Sequence, residues 1–338
     1  MHGLKRKVVY SILVLIIIIP DGFTQAINHD TVQGSIGAPY IKWVSLWPSP
    51  GKKNNTKGFR NRFNKIFLGK NIPFLSKPVS VMAYDSNLFW ILDQANNSIF
   101  HVEKGVGDIP HFISNSGYDL SSLVGICSLP DMKLLITDSH AQKIYKILPG
   151  EKEIQLLNDT LVLNQPTGIA YSKVKNEIWV AETSAHRVAV LNDKGELLKR
   201  VGSRGTAPGE FNFPTHIWID QAGNVYIVDA MNFRVQVLNK DGEIISVFGE
   251  AGDATGYLSR PKGIATDSYG HIYIVDALFH VVQVFDIQGN FLYKFGNQGQ
   301  GEGEFWLPSG IYIDDQNYIY IADSYNSRIQ VFQLIYGE

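Results

Sequence analysis

Six acidic residues, Asp93, Asp138, Glu182, Asp229, Asp276 and Asp323, follow one another at intervals of 45, 44, 47, 47 and 47 residues. Gathered in a ring, such carboxylates could hold calcium or carry acid–base catalysis. They recur once per interval, however, and one catalytic centre does not need six copies. Binding the backbone amides of a following turn explains them better. His140, His186 and His280 come within four residues of the second, third and fifth acids. A shared metal would need about three such ligands converging. These three fall after units that do not all adjoin, where a solvated loop histidine is the ordinary outcome. Gly202, Gly205, Gly209, Phe211 and Pro214 repeat their spacing at Gly249, Gly252, Gly256, Leu258 and Pro261, and again at Gly296, Gly299, Gly303, Phe305 and Pro308. No Lys-Ser/Thr pair follows at phosphate-loop spacing, and no strand-to-helix context surrounds them. They read as inter-unit loops, each with an apolar plug. No Gly-x-Ser-x-Gly elbow is present. The one cysteine, Cys127 in "VGICSL", reads as a small buried hydrophobe and leaves no internal disulfide.

The elements that must position these residues follow from the same period. Thirteen or fourteen residues before each acid stand Ser80, Gly125, Gly168, His216, Gly263 and Gly310, and two residues earlier Pro78, Leu123, Pro166, Pro214, Pro261 and Pro308. A period in the forties marks a repeat architecture. Each unit reads as four short strands; in the fourth they are "HIWID", "NVYIVD", "RVQVLN" and "EIISVFG", with "QAGN" and "NKDGE" as hairpin turns. Such sheets bury both faces when arranged radially, which predicts an all-β, six-bladed β-propeller. The 45% apolar and 18% charged residues, with 31 Gly, support a large strand-rich core.

The stretch "FGNQGQGEGEFWLPSGIYID…YIYIADSYNSRIQVF", Phe295 to Phe332, resembles the NHL repeat, strongly in the last four units and weakly in the first two. WD40 repeats are not supported, since no Trp precedes an Asp. The resemblance implies a propeller of NHL-type four-stranded blades. It also implies that the acid after each second strand anchors the next turn, with an Arg beside it. Arg187, Arg234 and Arg328 occupy that position, Lys143 stands in for it, and Ser98 and Val281 depart from it. The peptide-amidating lyase is similar in fold and holds zinc with three channel-facing His. Here the corresponding positions are Val79, Val124, Thr167, Thr215, Lys262 and Ser309, none of them His, and the next column has His216 alone.

The N-terminus reads separately. Lys5, Arg6 and Lys7 precede an apolar run from Val8 to Ile19, then "TQA" at 24–26, the order of an export signal. Residues 1–26 are therefore expected to be an export signal, placing the chain in the periplasm or outside the cell. The alternative is an uncleaved anchor and a membrane contact. Removing them leaves 27 Lys and Arg against 31 Asp and Glu, which gives no general reason to expect nucleic acid. Residues 27–61 read as a basic arm and 62–338 as the propeller. Residues 31–84 hold nine Lys and Arg, no acid, and the interleaved Phe59, Phe63, Phe67 and Phe74. Such a tract could meet an anionic glycan, a lipid surface or single-stranded nucleic acid; the plainer reading is a solvated arm plus a closing strand. That strand is expected at "NKIFLG", 64–69, completing a last blade that otherwise has three. Trp43 and Trp47 are expected outside the ring. The functional expectation is a monomeric, non-catalytic binding scaffold, with no cofactor or metal, for a protein or glycan partner. Its site is expected on the loop-bearing face: Thr215, His216, Lys262, Ser309, His186, Phe233, Phe279 and Tyr325. The alternative is a propeller enzyme such as a metal-dependent lyase or lactone hydrolase.

Overall fold

The computed structural model describes residues 40–48, 75–103, 111–112, 117–118, 120–151 and 153–336. The export-signal reading of 1–26 falls outside them. The first strand is β1 (Tyr40–Trp47). Blade 1 follows with β2 (Pro78–Ala83), β3 (Leu88–Asp93), β4 (Ser98–Glu103) and β5 (His111–Phe112). Blade 2 has β6 (Leu123–Ser128), β7 (Leu134–Asp138), β8 (Lys143–Ile147) and β9 (Gln155–Leu156). Blade 3 has β10 (Pro166–Ser172), β11 (Glu177–Glu182), β12 (Arg187–Leu191) and β13 (Leu197–Val201). Blade 4 has β14 (Pro214–Ile219), β15 (Val225–Asp229), β16 (Arg234–Leu238) and β17 (Ile244–Phe248). Blade 5 has β18 (Pro261–Thr266), β19 (Ile272–Asp276), β20 (Val281–Phe285) and β21 (Phe291–Phe295). Blade 6 has β22 (Ile311–Ile313), β23 (Tyr318–Asp323) and β24 (Arg328–Ile335), with β1 as its outer strand. Every pair is antiparallel, so the fold is a six-bladed β-propeller closed by an N-terminal strand.

The second and third strands are apolar on both faces because each sheet lies between two others. β15, "VYIVD", and β19, "IYIVD", are buried along their whole length. The first strands, from β2 to β22, contact one another around the central channel. That approach sets the glycine column. A Cβ on Gly168 would sit 2.7 Å from His216 Cα, so any side chain would push blade 3 off blade 4. Blades 1 and 4 carry Ser80 and His216 instead. There the register shift spans one residue fewer, and both residues pair with the second strand, opposite Leu92 and Val228.

Ring closure differs from the sequence reading. β1 runs antiparallel to β24 from Tyr40 opposite Ile335 to Trp47 opposite Ile329. Trp43 Nε1 donates to Gln330 Oε1 at 3.1 Å. Trp47 is buried, its ring meeting Phe89 at 6.2 Å and Phe100 at 6.3 Å in blade 1. The edge of "RIQVFQLI" assigned to 64–69 is thus occupied, and the propeller begins inside the segment read as a basic arm. An outer strand has one solvated face, here Lys42 and Val44, so it carries no two-faced apolar run. Residues 62–70 themselves lie outside the described ones.

Candidate functional site

Each acid of the ring is buried and fastens two segments. Asp93 Oδ2 accepts from the amides of Ser76 and Lys77 just before its own blade, and Oδ1 accepts from Asn96 N in the turn. Asp138 and Asp276 do the same with the amides flanking them. In the other three blades an arginine replaces the turn amides: Arg187 Nε to Glu182 at 2.8 Å, Arg234 Nε to Asp229 at 2.8 Å and Arg328 Nε to Asp323 at 2.7 Å. In those blades the turn becomes a short 3-10 helix, Thr183–Ala185, Ala230–Asn232 and Ser324–Asn326. Lys143 does not join this pattern; its ammonium donates to Asp159 O. Gln236, Gln283 and Gln330 hold the Gly-rich loops through Gly209 N, Gly256 N and Gly303 N. The plugs Phe211, Leu258 and Phe305 are fully buried. These motifs are framework.

The residues expected to form a site divide. His186 Nδ1 accepts from Phe213 N at 3.2 Å, and its ring meets that of Phe213 at 4.4 Å. His280 Nδ1 likewise accepts from Leu307 N, and His140 Nδ1 pairs with Ser121 Oγ. These rings join loops, each in its own sector. Phe233 ends its 3-10 turn in a left-handed conformation and packs on the core of blades 4 and 5. Phe279 is half-buried, with its amide on Asp276. Ser309 Oγ binds Val79 O and Ser324 Oγ, tying blade 6 to blade 1.

Thr215, His216 and Lys262 do share the inner end of blades 4 and 5. In blade 3 Thr183 bonds Thr167 and reaches Pro214 O of the next blade. Blade 4 has Ala230 in the place of Thr183, so Thr215 Oγ1 is buried with no partner among the described residues. Lys262 is half-buried; burial, then Arg260 and Lys77, lower its pKa. None of these three cations forms an ion pair among the described residues. Burial, helped by Lys262, pushes His216 down to about 4, so it is neutral at pH 7.

One feature was read in part, through Tyr325, and one was missed. Around the loop-bearing mouth, Met231, Leu278 and Tyr325 sit at one equivalent position of blades 4, 5 and 6 and are 55%, 51% and 57% exposed. Phe213, Tyr257 and Trp306 extend this apolar half-ring. At the opposite end the channel widens into a cavity of about 550 Å³, reaching from Ser80, Gly125 and His216 out to the first hairpin turns. Trp218 and Tyr312 meet edge-to-face in it at 5.4 Å, across Ala265 of the intervening blade. Trp218 Nε1 donates to Thr266 Oγ1, and Gln221 Nε2 reaches Asp315 Oδ1. The signal was present: Trp218 and Tyr312 share the column of Met82, Cys127, Ala170 and Ala265.

The chain matches the family described as 6-bladed beta-propeller over residues 158–246 and 258–338, half its length, and it belongs to that family. No curated protein matches it. Among solved structures it is similar to an auxiliary nutrient binding protein from Bacteroides ovatus, 13% identical over 88% of this chain and 77% of that one, TM-score 0.62. One from Bacteroides thetaiotaomicron is 16% identical over 78% and 70%, TM-score 0.59. The virginiamycin B lyase from Staphylococcus aureus with quinupristin is 15% identical over 88% and 100%, TM-score 0.56. At these identities the likeness shows the fold.

Proposed function

We propose that this propeller is an exported, non-catalytic binding scaffold of NHL-like blades that captures a partner polypeptide on its loop-bearing face. The observation that carries the reading is the half-ring of Met231, Leu278 and Tyr325, exposed at equivalent positions of three consecutive blades. Packing does not require large apolar groups there, and contiguous exposed apolar surface marks interaction sites. Lys262, Arg260 and Lys77 stand inside that half-ring without carboxylate partners among the described residues, so the complement is an apolar segment carrying an acidic group. The solved structures described as nutrient binding proteins support a binding role. The lyases among the neighbours supply the alternative, a propeller enzyme.

The test is photo-crosslinking from position 325 in the exporting cell, followed by affinity measurement with the partner it identifies. Replacing Met231, Leu278 and Tyr325 together by Ser should weaken binding at least about tenfold, as loss of central apolar anchors does. Lys262→Glu should weaken it further and remove its salt dependence. The melting temperature should move little, because these side chains are solvated. Full affinity in the triple variant would move the site elsewhere. One tightly held zinc or calcium per purified chain would favour the enzyme.

A further inference from the structure

The cavity at the opposite end of the channel is a second binding site, independent of the loop face. We propose that it takes a small organic cation, an amine whose apolar body lies among Trp218, Tyr312 and Tyr171 and whose ammonium rests at the rim of first-hairpin turns.

Three observations converge. The first is shape: a cavity of about 550 Å³ reaches from Ser80, Gly125 and His216 out to the first hairpin turns. That volume lies within the range of small-molecule pockets. The second is charge. Asp220, Asp267, Asp314 and Asp315 line the cavity, Asp267 paired with His271 at 2.8 Å, and Lys173 is the one Lys or Arg in the lining. A cleft lined by one sign of charge focuses its field on the opposite sign. Asp314 is buried, whereas Asp315 is exposed at the rim, where an ammonium can meet it. The third is the lining itself. The edge-to-face pair of Trp218 and Tyr312 presents aromatic faces, the groups that attract cations and apolar bodies alike. The Tyr312 hydroxyl and both ring nitrogens of His216 have no hydrogen-bond partner among the described residues, although both side chains line the cavity. An anion would meet the acidic rim and a neutral interior; a neutral ligand would gain the walls but nothing from the rim.

The experiment is isothermal titration of the full chain with 2-phenylethylamine, 2-phenylethanol and 3-phenylpropionate, three probes of similar size and different charge. The amine should bind about tenfold or more tighter than the alcohol, and the advantage should shrink as salt rises from about 0.1 M to about 1 M. The carboxylate should not bind. Trp218→Leu should weaken the amine about tenfold through loss of the aromatic face. Asp315→Asn, on the surface, should leave the fold intact and roughly halve the salt-sensitive part. Tyr312→Phe keeps the ring and should weaken amine and alcohol by the same factor. Equal binding of amine and alcohol, preference for the carboxylate, or no binding of any probe would overturn the proposal. Substitutions at Met231, Leu278 and Tyr325 should leave all three titrations unchanged, so this site and the loop face fail or stand separately.

Discussion

The residue on which each blade turns is the acid ending its second strand, and it is satisfied in two ways. Asp323 accepts from Trp306 N, Asn326, Arg328 and Gln330 in full burial. Asp323→Ala strands Arg328 and a buried amide, and should cost about 3–5 kcal/mol in urea unfolding, in the manner of a broken buried pair. Asp93→Ala strands no cation, but with about 1–3 kcal/mol for each of the Ser76, Lys77 and Asn96 amides left unpaired it should cost a comparable amount. His216 supplies a pH test. Its folded pKa of about 4 lies below the ordinary 6.5, so the unfolded chain binds more protons between these values. Stability should therefore fall as pH drops from 6.5 toward about 4, and His216→Gln should flatten that slope in thermal melts. The acid column and its structural role were legible because six copies cannot be one catalytic centre. The partner of each acid was not, since amide and arginine satisfy a carboxylate equally well and only the turn geometry chooses. Nor could sequence show that Ala230 orphans Thr215, a relation between the first strand of a blade and the turn after its second.

Among the elements, inner and middle strands were legible and outer ones were not. β15 and β19 are apolar on both faces because neighbours cover both. β13, "LLKRV", is almost wholly exposed, and β1 alternates much as a solvated strand does. With no two-faced apolar run to mark it, the closing strand is read from sequence at 64–69, whereas Tyr40–Trp47 makes the pairing. The correction makes a sharp prediction. A chain beginning at Gly37 keeps β1 and should fold as the full chain does. One beginning at Ser49 leaves "RIQVFQLI" as an open apolar edge and should aggregate or melt far lower. Trp47→Ala, within the intact chain, should cost about 3–5 kcal/mol by loss of its packing between blades 6 and 1. If the Ser49 chain melted like the Gly37 chain, β1 would not be what holds the ring.

At the scale of the whole molecule, the propeller is a ring with two unlike mouths. The loop-bearing mouth is apolar around a cationic centre, and the turn-bearing mouth is acidic around an aromatic cavity. His216 lines the inner part of that cavity. The pairing of β1 with β24 bears on how such a ring comes to exist. Trp43 and Gln330 are 287 residues apart, yet they join one sheet. Hairpins within a blade close over a few residues and form in microseconds, whereas contacts of such separation slow folding. Among the described strands, a ribosome delivers β1 first and β24 last. The earliest strand thus spends the whole of synthesis unpaired, and blades 1 to 5 can assemble as an open arc. Only then does the arc lock, making the seam the last step of folding and, on unfolding, the natural place for the circle to come apart.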